Sequence, residues 1–176
     1  MKYSPFEQED ALKNMVILVD TREQPTASFQ RRVEQFPKWR REKLDAGDYG
    51  CELNISGELM RLPVAIERKM SLDELCQCFG KERKRFQKEF DRAHRIGIKL
   101  HLLVENATWE RVYAGEYRSQ LPAASLIGSL LAWEERYGMT IHFCQPETTA
   151  THIKKILYYA AREWLNEYCT GDQAEG

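Results

Sequence analysis

Val64-Ala-Ile-Glu-Arg-Lys-Met-Ser-Leu-Asp-Glu74 holds a strand that gives way to a helix. Along Val64–Lys69 successive side chains alternate faces, so Val64, Ile66 and Arg68 share one side and Ala65, Glu67 and Lys69 the other. The apolar pair Val64 and Ile66 fixes the strand in a core, while a carboxylate and an ammonium, about 7 Å apart along the strand, project together from the opposite face. Such a pairing costs energy unless it is used. Ser71-Leu-Asp-Glu74 then has the spacing of a capping box, in which Ser71 accepts from the third helical N–H and Glu74 reaches back.

The same alternation extends in both directions. Met15-Val-Ile-Leu-Val19 is a continuous apolar run ending in Asp20, as expected of a strand buried on both faces with function at its carboxyl end. Lys99–Glu105 and Met139–Cys144 have the same character. Between them, residues 81–96 put Phe86, Phe90 and Ala93 on one helical face and most Lys and Arg on the other, with Gly97 closing the helix. Residues 122–137 and 147–168 read as core helices, and 38–54 as two short antiparallel strands joined by a turn around Asp45–Asp48. The pattern predicts an α/β domain with a mixed central sheet flanked by helices on both faces. One domain is expected over 15–169, with flexible segments at 1–14 and 170–176.

Composition sets the class. With 43% hydrophobic, 11% aromatic and 30% charged residues, the 176-residue chain is neither disordered nor fibrous. The longest uncharged apolar stretch, Leu121–Trp133, has 13 residues, short of the roughly 20 a bilayer requires. Glu7, Glu9 and Asp10 stand where a signal peptide needs an apolar run, so a cytoplasmic protein is expected. Five cysteines form no CxxC pair, which favours reduced, buried thiols over a disulfide framework or structural zinc. The net charge of −1 conceals an asymmetry: residues 15–100 hold 18 basic against 14 acidic side chains, and residues 101–176 hold 6 against 10. Arg31–Lys43 and Lys81–Arg95 are locally basic, a footing for a polyanion.

Asp48, following Gly47, combines with the strand above into Asp-x18-Glu-x-Lys. Two hard carboxylates can hold Mg²⁺, whose other positions take water and a phosphate oxygen. A lysine beside them can position the attacking water or act as a point charge on a developing oxyanion. In a chain this charged the spacing alone is weak evidence, and a surface ion pair between Glu67 and Lys69 is the plain alternative.

Three ordered motifs strengthen it: Val19-Asp-Thr-Arg-Glu23, Ala46-Gly-Asp-Tyr49 and Ile66-Glu-Arg-Lys69, the last followed after three residues by Asp73. Together they resemble the XPF/Hef family of structure-selective endonucleases, over roughly residues 15–145. The resemblance implies a restriction-endonuclease-like fold and a Mg²⁺-dependent DNA endonuclease, with Mn²⁺ able to substitute. It implies that Asp48, Glu67 and the Arg68 backbone carbonyl are metal ligands, that Lys69 is catalytic, and that Asp20 lies beside the metal. Arg22 and Glu23 would orient the site or contact phosphate.

Asp73 fills the final signature position, yet in the first turn of a helix it also satisfies the macrodipole. Lys81, Arg83, Lys84 and Arg85 are the candidate DNA contacts on the basic helix, with Phe36 and Trp39 marking a second candidate surface in 31–43. Branched, flap or junction DNA in repair, recombination or phage DNA processing is the implied substrate. After Gly138 no glycine-bearing turns of a helix-hairpin-helix module appear, and there is no GxxxxGK stretch, so added DNA grip is expected from a homodimer or a partner chain. The competing reading is a catalytically silent DNA-binding or dimerisation scaffold of the same fold.

Overall fold

The computed structural model describes residues 3–170. In chain order the elements are α1 (Pro5–Lys13), β1 (Val16–Asp20), α2 (Ala27–Val33), β2 (Trp39–Glu42), β3 (Tyr49–Ile55), β4 (Glu58–Lys69), α3 (Leu72–Phe79), α4 (Arg83–Arg95), β5 (Lys99–Glu105), α5 (Trp109–Ala114), α6 (Ala123–Tyr137), β6 (Thr140–Cys144) and α7 (Thr149–Thr170). The strands form a mixed sheet in the order β2-β1-β3-β4-β5-β6, within the α/β class expected. Where a single domain was expected over 15–169, the chain divides into two compact units. One comprises the chain up to Leu44, Tyr49–Val64 and the chain from Ala150 onward; the other comprises Asp45–Asp48 and Ala65–Thr149. Of the tail expected over 170–176, Thr170 is the last residue of α7 and the rest lies outside the described residues.

In the first unit, β1 carries β2 parallel on one side, with Ile17 opposite Trp39, and β3 antiparallel on the other, with Val19 opposite Tyr49. The expected hairpin over 38–54 is therefore corrected: both strands exist, but β1 lies between them. The chain leaving β2 is caught at the end of β1, where the Leu44 N–H donates to Asp20 Oδ2 at 2.7 Å. The true hairpin joins β3 to β4 through Ser56 and Gly57, both at positive φ (53° and 89°), as a tight two-residue turn requires.

Residues 1–14 were expected to be flexible, but Pro5–Lys13 is a helix. Ser4 accepts from the Glu7 N–H, Glu7 accepts from the Ser4 N–H, and Pro5 occupies the first helical position. Tyr3 Oη donates to Glu58 Oε2 at 2.6 Å, which fastens the segment to β4. Glu7, one of the acidic residues of this segment, is thus part of a capping device.

In the second unit, the capping box at Ser71 takes a modified form: the Glu74 N–H donates to Ser71 Oγ, while the Glu74 carboxylate accepts from Met70 N. Helix α4 buries Phe86, Phe90 and Ala93 as its periodicity predicts. These rings pack with Phe79, Tyr137 and the fully buried Trp133, with centroids 4.6–5.6 Å apart. β6 pairs parallel with β5 at the sheet edge and is only partly buried, unlike the core strand expected there. Cys51, Cys76 and Cys78 are buried free thiols.

Candidate active site

Gly47 allows the loop before β3 to lie against the carboxyl half of β4. Its φ is +70°, and a Cβ there would stand 2.9 Å from the Ile66 carbonyl oxygen and 3.0 Å from Ala65 Cβ, so only glycine fits. Asp48 is then fixed by two bonds to β4: its N–H donates to Ile66 O at 2.7 Å, and its Oδ2 accepts from the Arg68 N–H at 2.8 Å. The Gly-Asp pair is a docking device that sets one carboxylate beside the end of the strand carrying Glu67 and Lys69.

Glu67 is 8% exposed, and its Oε1 accepts from Lys69 Nζ at 2.7 Å. Burial pushes the Glu67 carboxyl above its ordinary value; Lys69 opposes that shift, while the charges of Glu89 and Glu74 add to it. Lys69 is buried too, which alone would lower its pKa, but Glu67, with Cys78 and Asp48 adding, reverses the sign and holds the ammonium raised. Its Nζ sits 3.8 Å from Glu74 Oε1 and 5.1 Å from the centre of the Phe86 ring. A lysine in this setting is a permanent cation, suited to donate to or stabilise an anion and unsuited to accept a proton. Glu74 is the acidic neighbour that sequence reasoning assigned only to capping.

Among the described residues no three His, Cys, Asp or Glu side chains gather as a metal cage. The donor chemistry nonetheless suits Mg²⁺, which typically takes one or two carboxylates and leaves its other positions to water and phosphate. Asp48 and Glu67 are hard oxygen donors beside one strand end, and Glu67 is held where a single ammonium leaves its charge under-compensated.

The other expected residues fall into distinct settings. Asp20, at the end of β1, is 1% exposed; it accepts from the Arg22 N–H (2.7 Å), Arg22 Nε (2.6 Å), Arg22 Nη2 (3.2 Å) and the Leu44 N–H (2.7 Å). Burial would raise its pKa, but these donors together hold it below the ordinary value. Glu23 accepts from buried Arg32 at 3.3 Å and from Tyr49 Oη at 3.1 Å, and Arg32 Nε donates to Tyr49 Oη at 2.7 Å. Arg32 belongs to the basic stretch 31–43, in which two further arginines are also engaged: Arg40 with Glu42 and Glu52, and Arg41 with the carbonyls of Thr21 and Glu23. Trp39 is partly exposed, whereas Phe36 is core.

Asp73 accepts from Arg118 N at 2.7 Å and Arg118 Nε at 3.0 Å, so it anchors the loop after α5. On α4, Arg83 donates to Ser129 Oγ at 2.8 Å and lies over the Phe79 and Trp133 rings, tying α4 to α6. Arg85 pairs with Glu82. Lys81 and Lys84 are exposed. Sequence reasoning also missed Glu105, which forms a buried ion pair with Arg68 at 3.1 Å; its signal was a carboxylate closing the apolar run of β5.

Among curated protein sequences none matches this chain. Among solved structures, XPF from Aeropyrum pernix superposes with a TM-score of 0.58 at 20% identity, over 82% of this chain and 61% of that one. XPF from Aeropyrum pernix in complex with DNA gives 0.60 at 19% identity, over 84% and 66%. The likeness is one of fold, and this chain spans about six tenths of the length of the XPF chains it matches. The ERCC4 domain model matches residues 19–156, which include all three sequence motifs and every strand from β2 to β6, and the chain belongs to the ERCC4 domain family.

Proposed function

We propose that this protein is a divalent-metal-dependent DNA endonuclease that hydrolyses a phosphodiester bond near a branch, flap or junction. The observation that carries the reading is the placement of Asp48, Glu67 and Lys69 around one strand end, with Lys69 held cationic by the acids beside it. Family membership and the DNA-bound XPF neighbour support it.

Asp48 and Glu67 would hold the metal, with the Arg68 carbonyl available as a further oxygen donor. When bound, Mg²⁺ or Mn²⁺ offers Lewis-acid polarisation of the phosphate and a lowered pKa for a ligated water. Asp48, fastened to the Arg68 N–H, keeps its carboxylate in place without reorganisation. Lys69 stands as a fixed positive charge beside the scissile phosphate, where charge accumulates in the transition state. Lys81, in the turn before α4, and Lys84, exposed on α4, supply phosphate contacts, and a second copy of this chain or a partner chain adds DNA grip. The scaffold alternative has no supporting feature in the site, since none of the three chemistry-bearing residues is lost.

End-labelled flap, splayed-arm, four-way and plain duplex DNA, incubated with Mg²⁺ or Mn²⁺, test the reading beside Asp48→Ala and an EDTA control. Metal-dependent, branch-preferring cuts that vanish in Asp48→Ala are expected. Absence of cleavage with salt-sensitive binding to the same DNAs overturns it in favour of the scaffold.

A further inference from the structure

The carboxyl end of β5 carries two consecutive polar residues that the chemistry above does not use. Glu105, the last residue of β5, is 6% exposed, and its Oε1 stands 3.1 Å from Arg68 Nη1. Asn106 follows at φ 54°, a left-handed conformation that asparagine tolerates, and its Nδ2 donates to the Met70 carbonyl at 3.2 Å. Arg68 and Met70 are the residues on either side of Lys69. Arg68 is also the residue whose N–H holds Asp48. It is therefore gripped at both ends, by Asp48 on its backbone and by Glu105 on its guanidinium.

The gripping residues are themselves fixed. The Asn106 N–H donates to Cys144 O of β6 at 2.9 Å, and the Asn106 carbonyl accepts from Arg111 of α5, a helix capped by Thr108. The β5 end is thus tied to β6 and α5 before it reaches across to β4.

We propose that Glu105 and Asn106 are positioning residues of the active site: a clamp that sets the backbone of residues 68–70, so that Asp48, Glu67 and Lys69 converge on metal and phosphate. The inference rests on the nuclease reading and deepens it. The Arg68 side chain is 13% exposed, and a guanidinium that loses its carboxylate cannot remain in so dry a place without penalty. It moves toward water, and the strand end moves with it, shifting the N–H that holds Asp48 and the bond directions on both sides of Lys69. Displacements of about 1 Å at such groups cost on the order of 10²-fold in rate.

The test uses the full chain with Glu105→Gln, Glu105→Ala and Asn106→Ala. Three quantities are read on each: thermal midpoint, Mn²⁺ affinity of the DNA-free protein from the electron paramagnetic resonance of unbound Mn²⁺, and single-turnover cleavage at saturating Mg²⁺ per folded molecule. For Glu105→Ala the cleavage rate is expected to fall about 10²-fold and Mn²⁺ affinity several-fold, with DNA affinity unchanged; Glu105→Gln, which retains a hydrogen-bond acceptor, falls between it and the parent. Should Glu105→Ala fail to fold, Asn106→Ala and Glu105→Gln carry the test. Variants that lose thermal stability yet bind Mn²⁺ and cleave like the parent reduce Glu105 and Asn106 to fold stabilisers and overturn the clamp. A parent chain that neither binds Mn²⁺ nor cleaves defeats the nuclease reading itself, a result distinguishable from failure of the clamp.

Discussion

Asp20 and Glu67 are both carboxylates at or near strand ends and both are almost fully buried, yet their surroundings shift them in opposite directions. Asp20 has three donors from Arg22 and one from Leu44, so its charge is answered locally and its pKa falls. Glu67 has one cation, Lys69, and two further carboxylates, Glu74 and Glu89, within electrostatic reach, so its pKa rises. On the function proposed above, the first of these carboxylates completes the fold and the second stands ready for an additional cation.

The largest expected effect tests the second of these roles. Lys69→Ala is expected to lower single-turnover cleavage about 10²–10³-fold, the cost typical of removing one preorganised group from a developing anion. Substrate affinity should change far less, because the lysine contributes mainly where charge accumulates. A variant that cleaves branched DNA as fast as the parent removes Lys69 from the chemistry.

Asp20→Asn tests the first role and belongs to stability. Losing a charged acceptor that serves buried N–H groups is expected to cost about 2–3 kcal/mol, measured by urea unfolding. The pH dependence carries a sign. The folded pKa of Asp20 lies below its ordinary 3.8, so its contribution is present above that value and is lost as pH falls through the lower, folded one. Asp20→Asn should therefore flatten the acid limb of the stability curve. Glu67, raised from 4.5, acts in reverse: the fold disfavours its ionised form, so its stabilising contribution is lost as pH rises through the raised folded value. The thermal stabilisation gained from added Mg²⁺ should accordingly grow as pH rises through that range, and a pH-independent gain separates Glu67 from the metal.

Much of this contrast was legible in the sequence because it depends on local rules. Strand parity placed Glu67 and Lys69 on one face, and an apolar run ending in Asp20 marked a strand end. What the sequence did not disclose were relations set by long-range pairing. That β1 separates β2 from β3 follows from a parallel crossover, which leaves no local signature, whereas a hairpin has its turn. Glu105 read as the last residue of a strand; its partner Arg68 lies 37 positions earlier and is visible only once β4 and β5 stand side by side. The helix at Pro5–Lys13 is a different kind of miss. Its capping signals are local and complete, but they sit in a polar segment with little apolar periodicity, where the hydrophobic pattern gives no warning.

The contrast between answered and unanswered charges recurs on α4 in its mildest form. Arg83 and Lys84 are adjacent, and composition treats them alike. Arg83 donates to Ser129 and lies over two aromatic rings, so its cost on removal should appear as lost stability of the α4–α6 packing. Lys84 is exposed and contributes charge to the surface. Lys84→Ala is expected to leave the unfolding free energy within about 0.5 kcal/mol of the parent and to weaken DNA binding slightly and uniformly across sequences. The slope of log affinity against log salt should shrink by about one, because one phosphate contact releases roughly one counterion. An unchanged slope removes Lys84 from the DNA path and moves the polyanion contact to Lys81 or to Arg22, whose side chain remains more than half exposed beside its Asp20 partner.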